Sequence, residues 1–307
     1  MPRILVIGYV WPEPQSSAAG KRMMQLLEFF LQPGYEIIFS STAAPSPFQV
    51  DLTALGITTE QITLNSSSFD SFLEDCQPSI VLYDRFMMEE QFGWRVRKQL
   101  PDALQILDTE DLHFLRKARA AAVAAGVAPD QAQLQTDLAK REIASMYRSD
   151  LSLIISPLEM QLLQEEFQIP RQLLYYLPII RQDPTVEQSK ISFEQRQDFV
   201  FIGNFRHDPN WDAVLELKTK IWPLIRKSLP QARLNIYGAY TSQKVHQLHN
   251  PKDGFLVHGR AESARVVIES ARLMLAPLRF GAGIKGKFLD AMANGTPSLT
   301  TSIGSEG

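Results

Sequence analysis

Residues 272–301, RLMLAPLRFGAGIKGKFLDAMANGTPSLTT, constrain the fold more than any other stretch of the chain. An apolar strand (Leu273 to Leu278) runs into a glycine-rich turn, GAGIKG (Gly281 to Gly286). A helix carrying Lys285, Lys287 and Asp290 follows, and then a second short strand, Pro297 to Thr301. Glycines at a strand-to-helix turn let backbone amides approach an anion, and the helix N-terminus adds roughly half a positive charge there. Lys285 and Lys287 would be unfavourable beside that dipole unless an anion sits between them. Asp290, one to two turns further on, is within reach of a ribose hydroxyl. The segment reads as a holder for a nucleoside diphosphate.

The same turn, Gly281-x-Gly283-x-x-Gly286, matches the dinucleotide fingerprint, so an NAD-dependent oxidoreductase is a competing reading. That fingerprint normally follows the first strand of its domain, with an acid about 20 residues on. Here the turn comes late, Glu306 is the nearest acid at that distance, and a lysine pair is foreign to the pattern.

The strand–helix alternation runs through the whole chain. In the first half, strands are expected at Ile4 to Ile7, Tyr35 to Ser40, Ile80 to Tyr83, Leu104 to Leu107 and Leu151 to Ile155. Helices are expected from about Gly20 to Leu31, at Phe69 to Asp75, Met88 to Gln99, Phe114 to Ala125 and Gln131 to Arg148, with Pro157 opening another. The pattern dissolves into polar residues around Pro178 to Gln197 and then resumes. Strands are expected at Phe199 to Ile202, Ala232 to Tyr237 and Phe255 to His258; a helix capped by Asn210 runs to about Ser228, and shorter helices cover Thr241 to His249 and Glu262 to Ser270. Short apolar strands separated by helices imply parallel sheets covered on both faces. The predicted organisation is an α/β protein with two doubly wound, Rossmann-like domains facing a cleft: residues 1–180, a linker at 181–198, and residues 199–307.

At 307 residues with 45% hydrophobic and 21% charged residues, the composition is that of a globular protein with room for two such domains. A net charge of −3 gives no whole-molecule case for binding nucleic acid, and the single cysteine, Cys76, excludes an internal disulfide framework. No run of 18 apolar residues exists, and MPRILVIGYV reads as a first strand, not a signal peptide. These features predict a cytoplasmic protein.

Residues 199–307 resemble the donor-binding domain of retaining GT-B glycosyltransferases, specifically glycosyltransferase family 4. The resemblance rests on FIGNFRHDPNWDAV (Phe201 to Val214), LNIYG (Leu234 to Gly238), VHGR (Val257 to Arg260), the stretch from Ala276 to Thr301, and GSEG (Gly304 to Gly307). WPEPQSSAAGKRM (Trp11 to Met23), LYDRF (Leu82 to Phe86) and LDTEDLHFLRKAR (Leu107 to Arg119) extend it more loosely to the first half. The resemblance implies transfer of a sugar from a nucleotide-sugar donor, such as a UDP- or GDP-sugar, to a glycan or lipid-linked hydroxyl acceptor in polysaccharide biosynthesis. It implies retention of configuration and no metal or other cofactor; no DxD triplet occurs in the chain. The leaving diphosphate would then be neutralised by the helix dipole, backbone amides and cations: Gly203, Gly281, Gly283, Ile284, Lys285 and Lys287. Asp290 falls at the usual ribose contact. His113 and Asp111 compete for the catalytic or sugar-contacting place on the first domain, and Asp111 has an alternative as the N-cap of the 114–125 helix.

The chain also departs from that pattern. Ala282 stands where family 4 commonly carries the first of two glutamates, which leaves open a nucleotide-sugar-binding protein without transfer activity. The usual arginine and lysine after the second domain's first strand are absent in their normal spacing; Arg206 either substitutes or serves at the surface. Small residues around Ser17 and Gly20 suit close approach of the acceptor. The basic stretch Arg116, Lys117, Arg119, Lys140 and Arg141 suits peripheral contact with the inner face of a membrane. After Gly307 a further strand and several helices are expected, so the second domain is predicted to be C-terminally incomplete.

Overall fold

The computed structural model describes residues 2–32, 34–179 and 191–307. Most of the expected linker, residues 181–190, lies outside the described residues. Among the described residues the chain builds two separate, wholly parallel sheets. The first contains β1 (Arg3–Gly8), β2 (Glu36–Ser41), β3 (Thr58–Gln61), β4 (Ile80–Asp84), β5 (Leu104–Asp108), β6 (Leu151–Ile154) and β7 (Leu174–Tyr176), in the order β3-β2-β1-β4-β5-β6-β7. The second contains β8 (Gln197–Ile202), β9 (Leu234–Tyr237), β10 (Phe255–Gly259), β11 (Ala271–Ala276) and β12 (Ser298–Thr300), in the order β10-β9-β8-β11-β12.

Helices connect the strands: α1 (Ala18–Leu31), α2 (Ser68–Cys76), α3 (Phe86–Gln99), α4 (His113–Ala124), α5 (Asp137–Arg148) and α6 (Pro157–Glu165) in the first half. The second half has α7 (Asp208–Glu216), α8 (Trp222–Ser228), α9 (Gln243–His246), α10 (Ala264–Glu269), α11 (Gly286–Ala293) and α12 (Ser302–Ser305). Alternate residues of each strand feed opposite faces, as the two-residue period of a strand requires. Leu5 and Ile7 pack into one apolar cluster of the first half, Ile4 and Val6 into the other. Phe201 and Val200 divide the same way in the second half.

Local differences from the sequence expectations have identifiable causes. The helix expected from Gln131 to Arg148 begins only at Asp137, because Thr136 caps it, its Oγ accepting from the Ala139 amide at 3.1 Å. β3 and β7 carry too little apolar alternation to stand out in the sequence. Asn210 does not cap a helix: α7 starts at Asp208, with Pro209 in its first turn, and Asn210 lies inside it. Asp111 is not the N-cap of α4 either. Its side chain pairs with Arg116, and the first amides of α4 are satisfied from a distance by Glu142, which accepts from His113 N–H at 3.0 Å and Phe114 N–H at 2.9 Å.

Candidate functional site

In each sheet the strand order reverses beside the first strand, between β1 and β4 and again between β8 and β11. The crevice outside the carboxyl ends of the strands at such a point is where open α/β sheets bind ligands. Here the loops after β1, β4 and β5 face those after β8, β9 and β11 across a cleft of about 290 Å³.

One wall is the glycine-rich turn. Lys285 occupies the N-cap position of α11 and reaches the Glu306 carbonyl with Nζ at 3.4 Å. Lys287, in the first turn, lies 4.4 Å above the Phe201 ring and donates to Asn210 Oδ1 at 2.6 Å. Among the described residues no carboxylate pairs with Lys287. Burial lowers its pKa to about 7. Burial also lowers Lys285, to about 8, against the opposing carboxylates of Glu306 and Glu159. Two cations destabilised by burial at a helix N-terminus form a pocket that an anion would relieve. Gly203 borders them for a steric reason: a Cβ there would stand 2.7 Å from Asn210 Cγ. The Asn210 side chain thereby folds over the β8 end, donating to Asn204 O at 2.8 Å while it receives Lys287.

The opposite wall comes from the first sheet. Asp111 and His113 both line the cleft, with His113 Nε2 3.4 Å from Asp111 Oδ1. Burial opposes the Asp111 charge, but the Arg116 guanidinium and its neighbours hold the carboxyl below its usual range. Burial drives His113 down to about 3 in spite of Asp111, so its imidazole is neutral at pH 7. Arg85 (φ 73°) and Glu110 (φ 63°) line the same cleft in left-handed conformations that non-glycine residues seldom adopt. Burial, then Asp108 and Asp84, raise the Glu110 carboxyl well above its ordinary value.

The other residues singled out in the sequence fall as follows. Gly281, Ala282 and Ile284 line the cleft, whereas the Gly283 amide is turned to the first half, donating to Glu159 Oε1 at 2.8 Å. Asp290 lines the cleft and pairs with Lys21 Nζ of α1 at 2.7 Å. Ser17 lines it while capping α1 through Gly20 N–H at 2.9 Å. Gly20 is small because of its neighbour: a Cβ there would stand 2.5 Å from the Glu13 carbonyl. Arg206 is exposed, stacks on Tyr240 at 3.5 Å and is not among the residues lining the cleft. The five basic residues of the helical arm are each paired: Arg116 with Asp111, Lys117 with Asp208, Arg119 with Glu306, Lys140 with Asp137 and Arg141 with Glu90. Among the described residues no helix is long and apolar enough to cross a membrane, and no group of three or more His, Cys, Asp or Glu is placed to hold a metal ion.

Two doubly wound parallel sheets presenting their carboxyl ends to a shared cleft decide the architecture. The fold is GT-B. Residues 196–307 match the family described as Glycosyl transferases group 1. The structure is similar to sucrose-phosphate synthase from Thermosynechococcus elongatus, with a TM-score of 0.72 at 14% identity, covering 99% of this chain and 82% of that one. It is also similar to Anabaena HepE solved in complex with UDP and glucose, with a TM-score of 0.66 at 10% identity, covering 99% and 82%. A curated relative, an uncharacterized 44.6 kDa protein in the cps region of Klebsiella pneumoniae, is 27% identical over 123 residues. That match spans 35% of this chain and 30% of the relative's length.

Within the GT-B cleft, sequence reasoning missed Lys21, Arg85, Glu110 and Asn210. Lys21 and Asn210 act through partners 269 and 77 residues away, which no local pattern reveals. Arg85 and Glu110 carry a signal only in their backbone conformation.

Proposed function

We propose that this protein is a retaining, metal-independent glycosyltransferase of family 4, moving a sugar from a UDP- or GDP-sugar to a hydroxyl of a glycan or lipid-linked acceptor in polysaccharide biosynthesis. The observation that carries the reading is the pairing of Lys285 with Lys287 at the α11 N-terminus inside the cleft, where burial disfavours both ammonium groups and Lys287 has no carboxylate partner among the described residues. The match of residues 196–307 to Glycosyl transferases group 1 supports it independently. Lys285, Lys287 and the backbone at Gly203, Gly281 and Ile284 would receive the diphosphate, and Asp290 would exchange Lys21 for a ribose hydroxyl. Preorganised donors at a leaving group stabilise charge as it develops, without reorganisation at the moment of reaction.

Retention follows in this account from front-side attack. The C–O bond to the leaving phosphate breaks as the acceptor oxygen bonds to the same face of the anomeric carbon, and a phosphate oxygen takes the acceptor proton. The Asp111 carboxylate is already committed to Arg116, which disfavours it as a nucleophile. Neutral His113 fits a hydrogen bond to a sugar hydroxyl. A second reading, binding of nucleotide sugars without transfer, is favoured by Ala282 in the cleft wall. Slow hydrolysis of nucleotide-α-sugars, followed by proton NMR in the presence of EDTA, separates the possibilities. The proposal predicts initial release of the α-sugar at a rate EDTA leaves unchanged. Initial release of β-sugar would overturn retention, and absence of cleavage with intact nucleotide binding would establish the second reading.

A further inference from the structure

The cleft is assembled from two segments on different sheets: the loop after β5 that carries Asp111 and His113, and the turn after β11 that carries Lys285. Both are gripped by one side chain. Glu159, in the first turn of α6 and 1% exposed, accepts through Oε1 from Leu112 N–H at 3.0 Å and from Gly283 N–H at 2.8 Å. Ser156 caps the helix that holds it. At the other end of the turn, Arg119 of α4, 6% exposed, donates from Nη1 to the Gly281 carbonyl at 2.9 Å. The same guanidinium forks onto Glu306 at 2.6 and 2.9 Å.

The turn is therefore held by an acceptor at its amide and a donor at its carbonyl, both from the other half of the molecule. Packing reinforces the grip. Ala282 joins the apolar cluster of the first half, and a Cβ at Gly283 (φ +62°) would stand 2.8 Å from Asp111 Cβ. Neither Glu159 nor Arg119 is among the residues lining the cleft.

We infer that Glu159 and Arg119 are positioning residues that set the glycine-rich turn against the Asp111–His113 loop, and so fix the leaving-group cations relative to the acceptor side. The inference rests on the transfer reading above. Misplacement of reacting groups by about 1 Å costs on the order of 10²-fold in rate, without a matching loss of ground-state binding. Lys285 and Lys287 both sit in the second half, and Glu159 bears on Lys285 only through its charge, which opposes the fall in that ammonium's pKa, so most of the diphosphate affinity is expected to survive loss of the grip.

The test measures kcat for nucleotide-sugar cleavage alongside Kd for UDP, GDP and ADP. Glu159→Ala should lower kcat by about 10–100-fold while the Kd of whichever nucleotide binds the wild type changes by less than about threefold. Glu159→Gln keeps an oxygen able to accept from both amides and should recover kcat to within about threefold of wild type. Arg119→Lys loses the fork and should reproduce the split of Glu159→Ala, which keeps the test intact if the alanine variant does not fold. Wild-type kcat in Glu159→Ala or Arg119→Lys, or parallel losses of kcat and affinity, would overturn the positioning role. A wild type that cleaves no nucleotide sugar, whether or not it binds a nucleotide, would instead overturn the transfer reading and with it this inference.

Discussion

Lys287→Met removes a charge while keeping most of the stem that lies over Phe201, so it isolates the cation's contribution to diphosphate binding. In the unliganded protein, burial holds this ammonium at a pKa of about 7. A bound diphosphate would raise that value, because an opposite charge at hydrogen-bond distance favours the protonated form. Each unit recovered adds about 1.4 kcal/mol to binding, so recovery of one to two units corresponds to about 10–100-fold in Kd. The sign follows from linkage. The complex holds more of the proton than the free protein, so affinity is greatest below pH 7 and declines as pH rises through 7. Lys285, at about 8, extends the decline in the same direction.

Titration calorimetry of the nucleoside diphosphate between pH 6 and 8.5, repeated in buffers of different ionisation heat, reads affinity and proton uptake together. The wild type should take up a fraction of a proton near pH 7.5 and lose about tenfold in affinity across the range. Lys287→Met should bind about 10–100-fold more weakly at pH 6.5, with its remaining dependence centred near 8. The gap between the two proteins should narrow toward pH 8.5. Equal affinities at pH 6.5, or an unchanged pH profile in the variant, would refute the reasoning and place the diphosphate elsewhere.

Three further outcomes follow from the geometry. Lys21→Ala should tighten nucleoside diphosphate binding by about two- to fivefold in the same calorimetric assay, because Asp290 no longer has to leave a half-exposed ion pair of about 0–1 kcal/mol. Gly283→Ala should cost about 1–3 kcal/mol of stability, read as a lower melting temperature, since the residue has φ +62° and a Cβ would crowd Asp111. Arg22→Leu leaves the fully buried Asp108 without its forked partner and should cost about 3–5 kcal/mol, seen as a lower urea midpoint with an unchanged slope.

The architecture was legible wherever burial on both faces writes an apolar run. β1, β4 and β8 show as ILVI, IVLY and FVFI, and their spacing by helices implies parallel sheets. The edge strands β3 (TTEQ) and β7 (LYY) are half solvated and carry no such signature. The glycine-rich wall was legible for a similar reason: the glycines and lysines at a strand-to-helix turn stand out, and Gly281, Ile284, Lys285 and Lys287 do line the cleft. The opposite wall was legible only in part: Ser17, Asp111 and His113 were singled out and line the cleft, whereas Lys21 and Arg85 beside them were not. The alternative reading of Asp111 as a helix cap fails because the caps of α4 come from Glu142, 28 and 29 residues away. Gly283 reads as a phosphate-binding amide, yet the fold turns that amide toward Glu159, 124 residues away. Side chains acting over such long sequence separations leave no spacing to recognise, and only coordinates bring them together.

The most direct test of the central claim is a thermal-shift panel of UDP, GDP, ADP, their common sugars and NAD(H), with the Lys285→Ala/Lys287→Ala double variant as control. At 100 times its Kd a cognate ligand stabilises by about 2.7 kcal/mol, a shift of several degrees. A nucleoside diphosphate or its sugar should give such a shift, lost in the double variant. A shift with NAD(H) alone, or one that the double variant retains, would contradict that claim.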